Sequence, residues 1–220
     1  MFAIQFISGE LFPLKKSDSI ESALLFMDDW NVNELPVVEG GKILGFVSEK
    51  ALQTQNQERI DLCMDVHIDP YIINENTHLF DIWLRMHQYQ FETLAVLNAD
   101  EQFLGIVSLK DLGIQSFAHS TLMQEGSTLV IKVQAIQYSL AEISRICESN
   151  DAKIIYLFVE PIMDSENTLY VSLKMNKVYL NHVIASLERF GYQIIHTNSP
   201  LDPNQSLDDR YNWLVKYLNT

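Results

Sequence analysis

Residue types that do chemistry are present in this chain but are not grouped for it. The six histidines, His67, His78, His87, His119, His182 and His196, include no pair at the i, i+4 spacing and no HxH beside carboxylates that would hold a metal ion. Cys63 and Cys147 stand alone, without CxxC or Cys/His spacing, and read as small buried hydrophobes rather than as a disulfide or zinc ligands. Asp28-Asp29 and Asp208-Asp209 are paired carboxylates of the kind that a solvated face or a first helical turn explains. No GxSxG, P-loop or Gly-rich dinucleotide fingerprint occurs, and no nucleophile-base or acid-base pair stands out. The expectation is a protein without catalytic residues and without a metal. Two short runs remain, Gly45-Phe46-Val47-Ser48 and Gly105-Ile106-Val107-Ser108-Leu109-Lys110-Asp111, and they sit at equivalent places in a repeat.

That repeat is the organising feature of the first half. Asp18 to Leu52 realigns on Thr77 to Leu112 with an offset of 59, which becomes 60 after one extra residue near Asp100. Met27 falls on Met86, Leu35 on Leu94, Gly45 on Gly105, Ser48 on Ser108 and Leu52 on Leu112. Ile20, Ala23, Leu24 and Met27, and in the second copy Leu79, Ile82, Trp83 and Met86, follow the i, i+3, i+4, i+7 pattern of one helix face. A hairpin follows each helix: Leu35 to Val38 and Ile43 to Val47 around Gly40-Gly41, where positive φ is free of steric cost, then Leu94 to Leu97 and Phe103 to Val107 around Asn98, Ala99 and Asp100.

From Ser127 the order changes to strand (Thr128 to Val133), helix, two strands, helix and strand (Gln193 to Thr197), the split βαβ arrangement. Ser139 with Glu142 reads as a capping box for a helix carrying Leu140, Ile143 and Cys147. The run Ile154 to Val159 is continuously apolar and is expected to be central. Leu169, Val171, Leu173 and Met175 alternate with Tyr170, Ser172 and Lys174, so that sheet is expected to have one face on a helix and the other polar or against a partner. Leu180, Val183, Ile184 and Leu187 make the second helix, with Gly191 placed for a left-handed cap. Ser116 to Gly126 reads as a linker. In the tail, Leu207, Tyr211, Leu214, Val215 and Leu218 form a stripe that must dock to be stable, and Tyr211, Trp213 and Tyr217 belong to that packing rather than to base stacking. The expected segments are 1–60, 61–118, 127–198 and a tail of 199–220.

Composition narrows the function classes. Fifteen Lys plus Arg against 29 Asp plus Glu give a formal charge of −14, and 47% of the 220 residues are apolar. The chain is too hydrophobic for disorder. So negative a balance opposes binding to phosphate backbones or anionic membranes, and nucleic acid and membrane are set aside as partners. No run approaches a membrane span of ~18 apolar residues, and the N-terminus lacks the basic-then-apolar order of a signal peptide, so a cytoplasmic location is expected.

The first half resembles the CBS motif in tandem: a helix, then Leu35-Pro36-Val37-Val38 and Gly45-Phe46-Val47-Ser48, then a second copy with Leu94-Ala95-Val96 and the full ending GhxSxxD at Gly105 to Asp111. The unit from Ser127 to about Thr197 resembles an ACT domain. The order is similar to that of bacterial acetoin-utilisation B-like regulatory proteins. The resemblance implies an α+β fold, a CBS pair of repeated β-α-β-β-α units followed by a ferredoxin-like βαββαβ ACT-like domain. It also implies a regulatory protein that binds an adenosine-type ligand in a cleft between the motifs, forms a homodimer and signals to a protein partner not named by the sequence. A non-binding scaffold, or an accessory factor in acetoin-type carbon metabolism, are the alternatives. Dimerisation would use apolar helix faces such as that around Ile20, Leu24 and Met27.

On that resemblance Asp111 and Ser108 match the ribose-binding positions: an ionised Asp accepts from both ribose hydroxyls, and a Ser hydroxyl reaches ribose or phosphate. Pro70, Tyr71 and Ile72 fall where the family lines the adenine pocket, and Lys110 is placed to face a phosphate. Ala51 stands in the first copy where Asp111 stands in the second, which leaves one intact site of the two, and Pro36 becomes Ala95 beside it. With Lys110 and Arg85 the nearby cations, a nucleoside, a monophosphate such as AMP, or S-adenosylmethionine is preferred over a triphosphate. The alternative for Ser108 and Asp111 is plain helix capping. The loop Gln134-Ala135-Ile136-Gln137-Tyr138-Ser139 lacks the acidic residue and glycine with which many ACT domains hold an amino acid, so that unit is expected to dimerise instead.

Overall fold

Helix α1 (Ile20–Trp30) forms where Ser19 caps it, the serine Oγ accepting from Ser22 N at 3.1 Å. Asn31, in the left-handed region at φ 52°, ends it. The chain returns as the hairpin of β1 (Glu34–Glu39) and β2 (Lys42–Ser48), turned by Gly40 and Gly41 at positive φ, and runs into α2 (Glu49–Thr54). After the short strand β3 (Ile72–Asn74) the same sequence of elements recurs: α3 (Leu79–Tyr89), ended by left-handed Gln90, then β4 (Thr93–Leu97), β5 (Phe103–Ser108) and α4 (Leu109–Ala118). These elements belong to a computed structural model that describes residues 1–54, 59–118, 120–162 and 167–201. The chain divides into two compact units, Met1–His119 and Ser120–Thr220.

In the first unit β3 lies parallel to β4, with Ile73 opposite Val96. The first copy has only a single parallel bridge in that place, Leu14 opposite Val37. Each copy's leading segment packs into the other copy. Ala3 and Phe6 lie in the core with Ile82, Met86 and Leu94 of the second copy, and Ala3 N donates to Thr77 O at 2.9 Å. Reciprocally, Ile60 and Cys63 lie in the core with Met27, Leu35 and Leu52 of the first. Burying a phenylalanine such as Phe6 contributes about 1.5–3 kcal/mol, so neither half of the pair is complete alone. The face of α1 expected to be open to a partner is core instead: Met27 is buried, Ile20 and Leu24 pack against the same cluster, and Leu25 is the exposed apolar residue. The helix's apolar stripe is consumed by its own hairpin, because the stripe is no wider than one core-facing surface.

In the second unit β6 (Thr128–Gln134), α5 (Leu140–Glu148), β7 (Ile154–Pro161), β8 (Thr168–Met175), α6 (Asn181–Arg189) and β9 (Gln193–Thr197) build a four-stranded antiparallel sheet in the order β7-β8-β6-β9. That is the ferredoxin-like βαββαβ topology. Leu129, Ile131, Val171 and Leu173 face Ile143, Cys147, Val183 and Leu187 of the two helices. The continuously apolar β7, expected to be central, is an edge strand pairing with β8 alone. Leu157 and Val159 pack on the core while Phe158 is 51% exposed. Its apolar run therefore reports one core-facing side and one uncovered side rather than burial on both.

Smaller differences are local. The expected linker from Ser116 begins inside α4, which runs to Ala118 with Ser116 Oγ donating to Gly113 O. Ser139 caps α5 through Glu142 N at 3.3 Å, but Glu142 Oε2 accepts from Tyr192 OH at 2.8 Å instead of reaching back to close a box. Burial and that carboxylate push the Tyr192 phenol up to about 12. The stripe Leu207 to Leu218 lies outside the described residues.

Candidate functional site

Where β5 ends, Ser108 is 3% exposed and serves two neighbours. Its Oγ accepts from Asp111 N at 3.0 Å and donates to Asp111 Oδ2 at 2.9 Å. The serine thus caps α4, and its proton orients a half-buried carboxylate in the first helical turn. In the first copy Ser48 Oγ accepts from Ala51 N at 3.2 Å, the same cap with no carboxylate to orient. Ser108 therefore caps α4 and orients the Asp111 carboxylate in one geometry.

Between the two corners runs a polar seam. Glu34 Oε1 accepts from Glu92 N at 2.6 Å and Thr93 N at 2.9 Å, Thr93 Oγ1 donates to Glu34 O, and Glu92 Oε2 accepts from Asn33 N at 3.0 Å. Burial raises the Glu34 carboxyl above its ordinary value of 4.5, opposed by the two amide donors. Since Asn33 and Glu34 align with Glu92 and Thr93, this seam marks the approximate twofold relation of the two copies.

The exchanged leading segments cross the strand that leads to each corner. Ser8 N donates to Ile106 O at 2.8 Å, so Ile7 and Ser8 of the first copy cross β5 just before Ser108. Reciprocally, Phe46 and Asp65 exchange backbone hydrogen bonds of 3.0 and 2.7 Å, so Met64 and Asp65 cross β2 just before Ser48. This crossing is why both runs need glycine. A Cβ on Gly105 would stand 2.4 Å from Ile7 Cγ2, and one on Gly45 would stand 2.8 Å from Asp65 O.

The structure brings together some of the residues singled out from sequence and separates others. Ser108, Asp111 and exposed Lys110 share the start of α4. Pro70 and Tyr71 lie in a single 3-10 turn (Asp69–Tyr71), and Ile72 opens β3, in the segment that leads across β2 on the Ser48 side. The Tyr71 ring is stacked on Phe46, with centroids 4.3 Å apart, and on Phe91 at 3.9 Å. Ile72 lines a cavity of about 460 Å³ with Lys42, Asp69, Leu97 and Gln102. Another cavity, of about 360 Å³, lies among Trp83, Phe91, Glu92 and Leu109. Ile7 and Ser8 were not singled out. The signal for them was the apolar spacing of Ile7, Leu11 and Leu14 ahead of the first helix. Among the described residues no cluster of three or more His, Cys, Asp or Glu side chains is placed to hold a metal, and no helix is long and apolar enough to cross a membrane.

Residues 5–54 and 62–112 each match the family model of the CBS domain. An uncharacterised protein of Methanocaldococcus jannaschii is 20% identical over 137 residues, 62% of this chain, and the chain spans about half, 51%, of that relative's length. Among solved structures, CBSX2 in complex with AMP is 21% identical with a TM-score of 0.46, over 53% of this chain and 96% of that one. A putative acetoin utilization protein from Vibrio cholerae is 17% identical with a TM-score of 0.47, over 54% of this chain and 91% of that one. With helix, hairpin and helix repeated about a shared polar seam, and both copies matched by the family model, the first unit is a tandem pair of CBS domains.

Proposed function

We propose that this protein is a non-catalytic regulator whose CBS pair senses an adenosine-containing metabolite, AMP, another adenosine nucleotide or S-adenosylmethionine, in the cleft beside Ser108 and Asp111. The observation that carries the reading is the oriented carboxylate. One hydrogen bond from a buried serine orients the half-buried Asp111 carboxylate, and a carboxylate has acceptor capacity left for two ribose hydroxyls. Lys110 stands beside it for a phosphate. Ligand there bridges α4 to the leading segment of the other copy, and so favours one relative packing of the two motifs over another. The protein acts in the cytoplasm as a homodimer and passes this shift to a protein partner. The second unit, whose βαββαβ topology supports an ACT-like reading, contributes dimer contacts rather than an amino-acid site, since its first strand-helix loop lacks the glycine and acid of such sites.

A second reading has its own support. Ser108 and Asp111 satisfy each other without a ligand, as a scaffold with a vestigial cleft would have them. A thermal-shift series with AMP, adenosine, S-adenosylmethionine and amino acids decides between the two, because a ligand bound only by the native state must raise the melting temperature. A rise with the adenosine compounds alone is expected; no rise with any of them favours the scaffold. Light scattering at micromolar concentration tests the homodimer, and a concentration-independent monomer would overturn it together with the coupled mechanism.

A further inference from the structure

The two leading segments differ in where they hold their aromatic ring. Leu14 sits opposite Val37 as Ile73 sits opposite Val96, so Phe12 is the counterpart of Tyr71. Phe12 is 62% exposed, on the segment that crosses toward Ser108. Tyr71 instead lies between Phe46 of the first copy and Phe91 of the second, nearly parallel to both at 18°. The counterparts of those two rings are Ile106 and Val32, aliphatic and buried. An aromatic sandwich one ring thick, spanning the two copies beside the Ser48–Ala51 corner, therefore exists on one side only. Parallel π faces at about 4 Å are what a planar heteroaromatic base stacks against, and here the protein's own phenol occupies the gap. Burial and the carboxylates of Glu34 and Asp65 hold the Tyr71 hydroxyl above its ordinary value, so negative charge already faces that ring.

We propose that Tyr71 is an internal plug, the occupant of the base slot between Phe46 and Phe91, and that it limits the pair to one adenosine ligand per chain. The proposal rests on the nucleoside reading above and adds the stoichiometry and its cause. Ala51 removes the ribose acceptor from the second cleft, and Tyr71 removes the space for the base, so restoring the carboxylate alone gains nothing.

Equilibrium dialysis of the full chain against labelled adenosine tests this with wild type, Ala51→Asp and Ala51→Asp/Tyr71→Ala. One adenosine per chain is expected for wild type and for Ala51→Asp, and two for the double variant, the second at least tenfold tighter than any extra uptake by Ala51→Asp alone. Two in wild type or in Ala51→Asp would show the slot open and overturn the plug, as would one in the folded double variant. Where the alanine variant does not fold, Tyr71→Leu takes its place with the same outcomes, because leucine supports the core but leaves the ring plane vacant. If wild type takes up none, the Asp111 reading fails while the plug is still judged. One adenosine per double variant then supports it, and none overturns it.

Discussion

The Ser48 and Ser108 corners are the same piece of structure built twice, and they part at two positions. Both serines cap a helix from the end of a strand, and both strands carry a glycine where the other copy's leading segment crosses. At the third residue after the serine one copy has Ala51 and the other Asp111. In the segment facing each corner one copy holds its aromatic ring outward, Phe12, and the other holds it inside, Tyr71. The shared parts hold the caps and the crossings, and the differing parts are those assigned to a ligand in the proposal above. A duplicated unit can therefore change the side chains at one corner without giving up its packing.

The comparison is broken most severely through the shared parts. Phe6→Ala removes a buried ring that the first copy lends to the second, and should cost about 3–5 kcal/mol, with Ile60→Ala costing about 2–5 kcal/mol in the reciprocal direction. Denaturant titration should show both variants lowering one common transition of the first unit. Two separate transitions, one per copy, would contradict the exchange of segments. Next in size is Asp111→Ala. Loss of two charge-assisted hydrogen bonds should weaken an adenosine ligand by roughly 30- to 1000-fold, about 2–4 kcal/mol, by calorimetry. Equal binding by wild type and variant would sink the ribose assignment.

The serines sharpen the contrast. Ser48→Ala and Ser108→Ala each remove a helix cap and should cost a similar ~0.5–2 kcal/mol in stability, measured by thermal unfolding. Ser108→Ala alone should weaken ligand, because Ser48 has no carboxylate to aim. The smallest effect concerns the seam. The folded-state value of Glu34 is raised above 4.5, so between 4.5 and that raised value the folded chain keeps a proton that the unfolded chain has released. Stability from this group is present below 4.5 and is lost as pH rises through the folded-state value. Glu34→Gln should flatten that part of the profile of stability against pH, and an unchanged slope would remove Glu34 as its source.

Local features were readable from the amino acids because local chemistry decides them. The repeat, the Gly40-Gly41 turn, the Ser139 cap and the left-handed Gly191 follow from residue type and near spacing, and Ser108 with Asp111 is one contiguous run. What escaped is what depends on distant partners. Ile7 and Ser8 matter because of Ile106, about a hundred residues away in sequence, and no local pattern encodes that pairing. The apolar run of β7 could not distinguish an edge from a centre, since periodicity reports burial and says nothing of which strands pair. Tyr71 was singled out from the sequence, but its stacking on Phe46 and Phe91 was not legible there, because those two rings come from opposite copies.

The exchange of leading segments also sets an order on synthesis. Within this unit Ala3 and Phe6 leave the ribosome well before their partners Leu94 and Val107. A nascent chain therefore carries these apolar residues unhoused while nearly the whole pair is made, and the unit closes in one late step rather than copy by copy. Two chains emerging side by side on one message could trade these segments with each other. Such a swapped assembly would bury the same side chains as the single chain does.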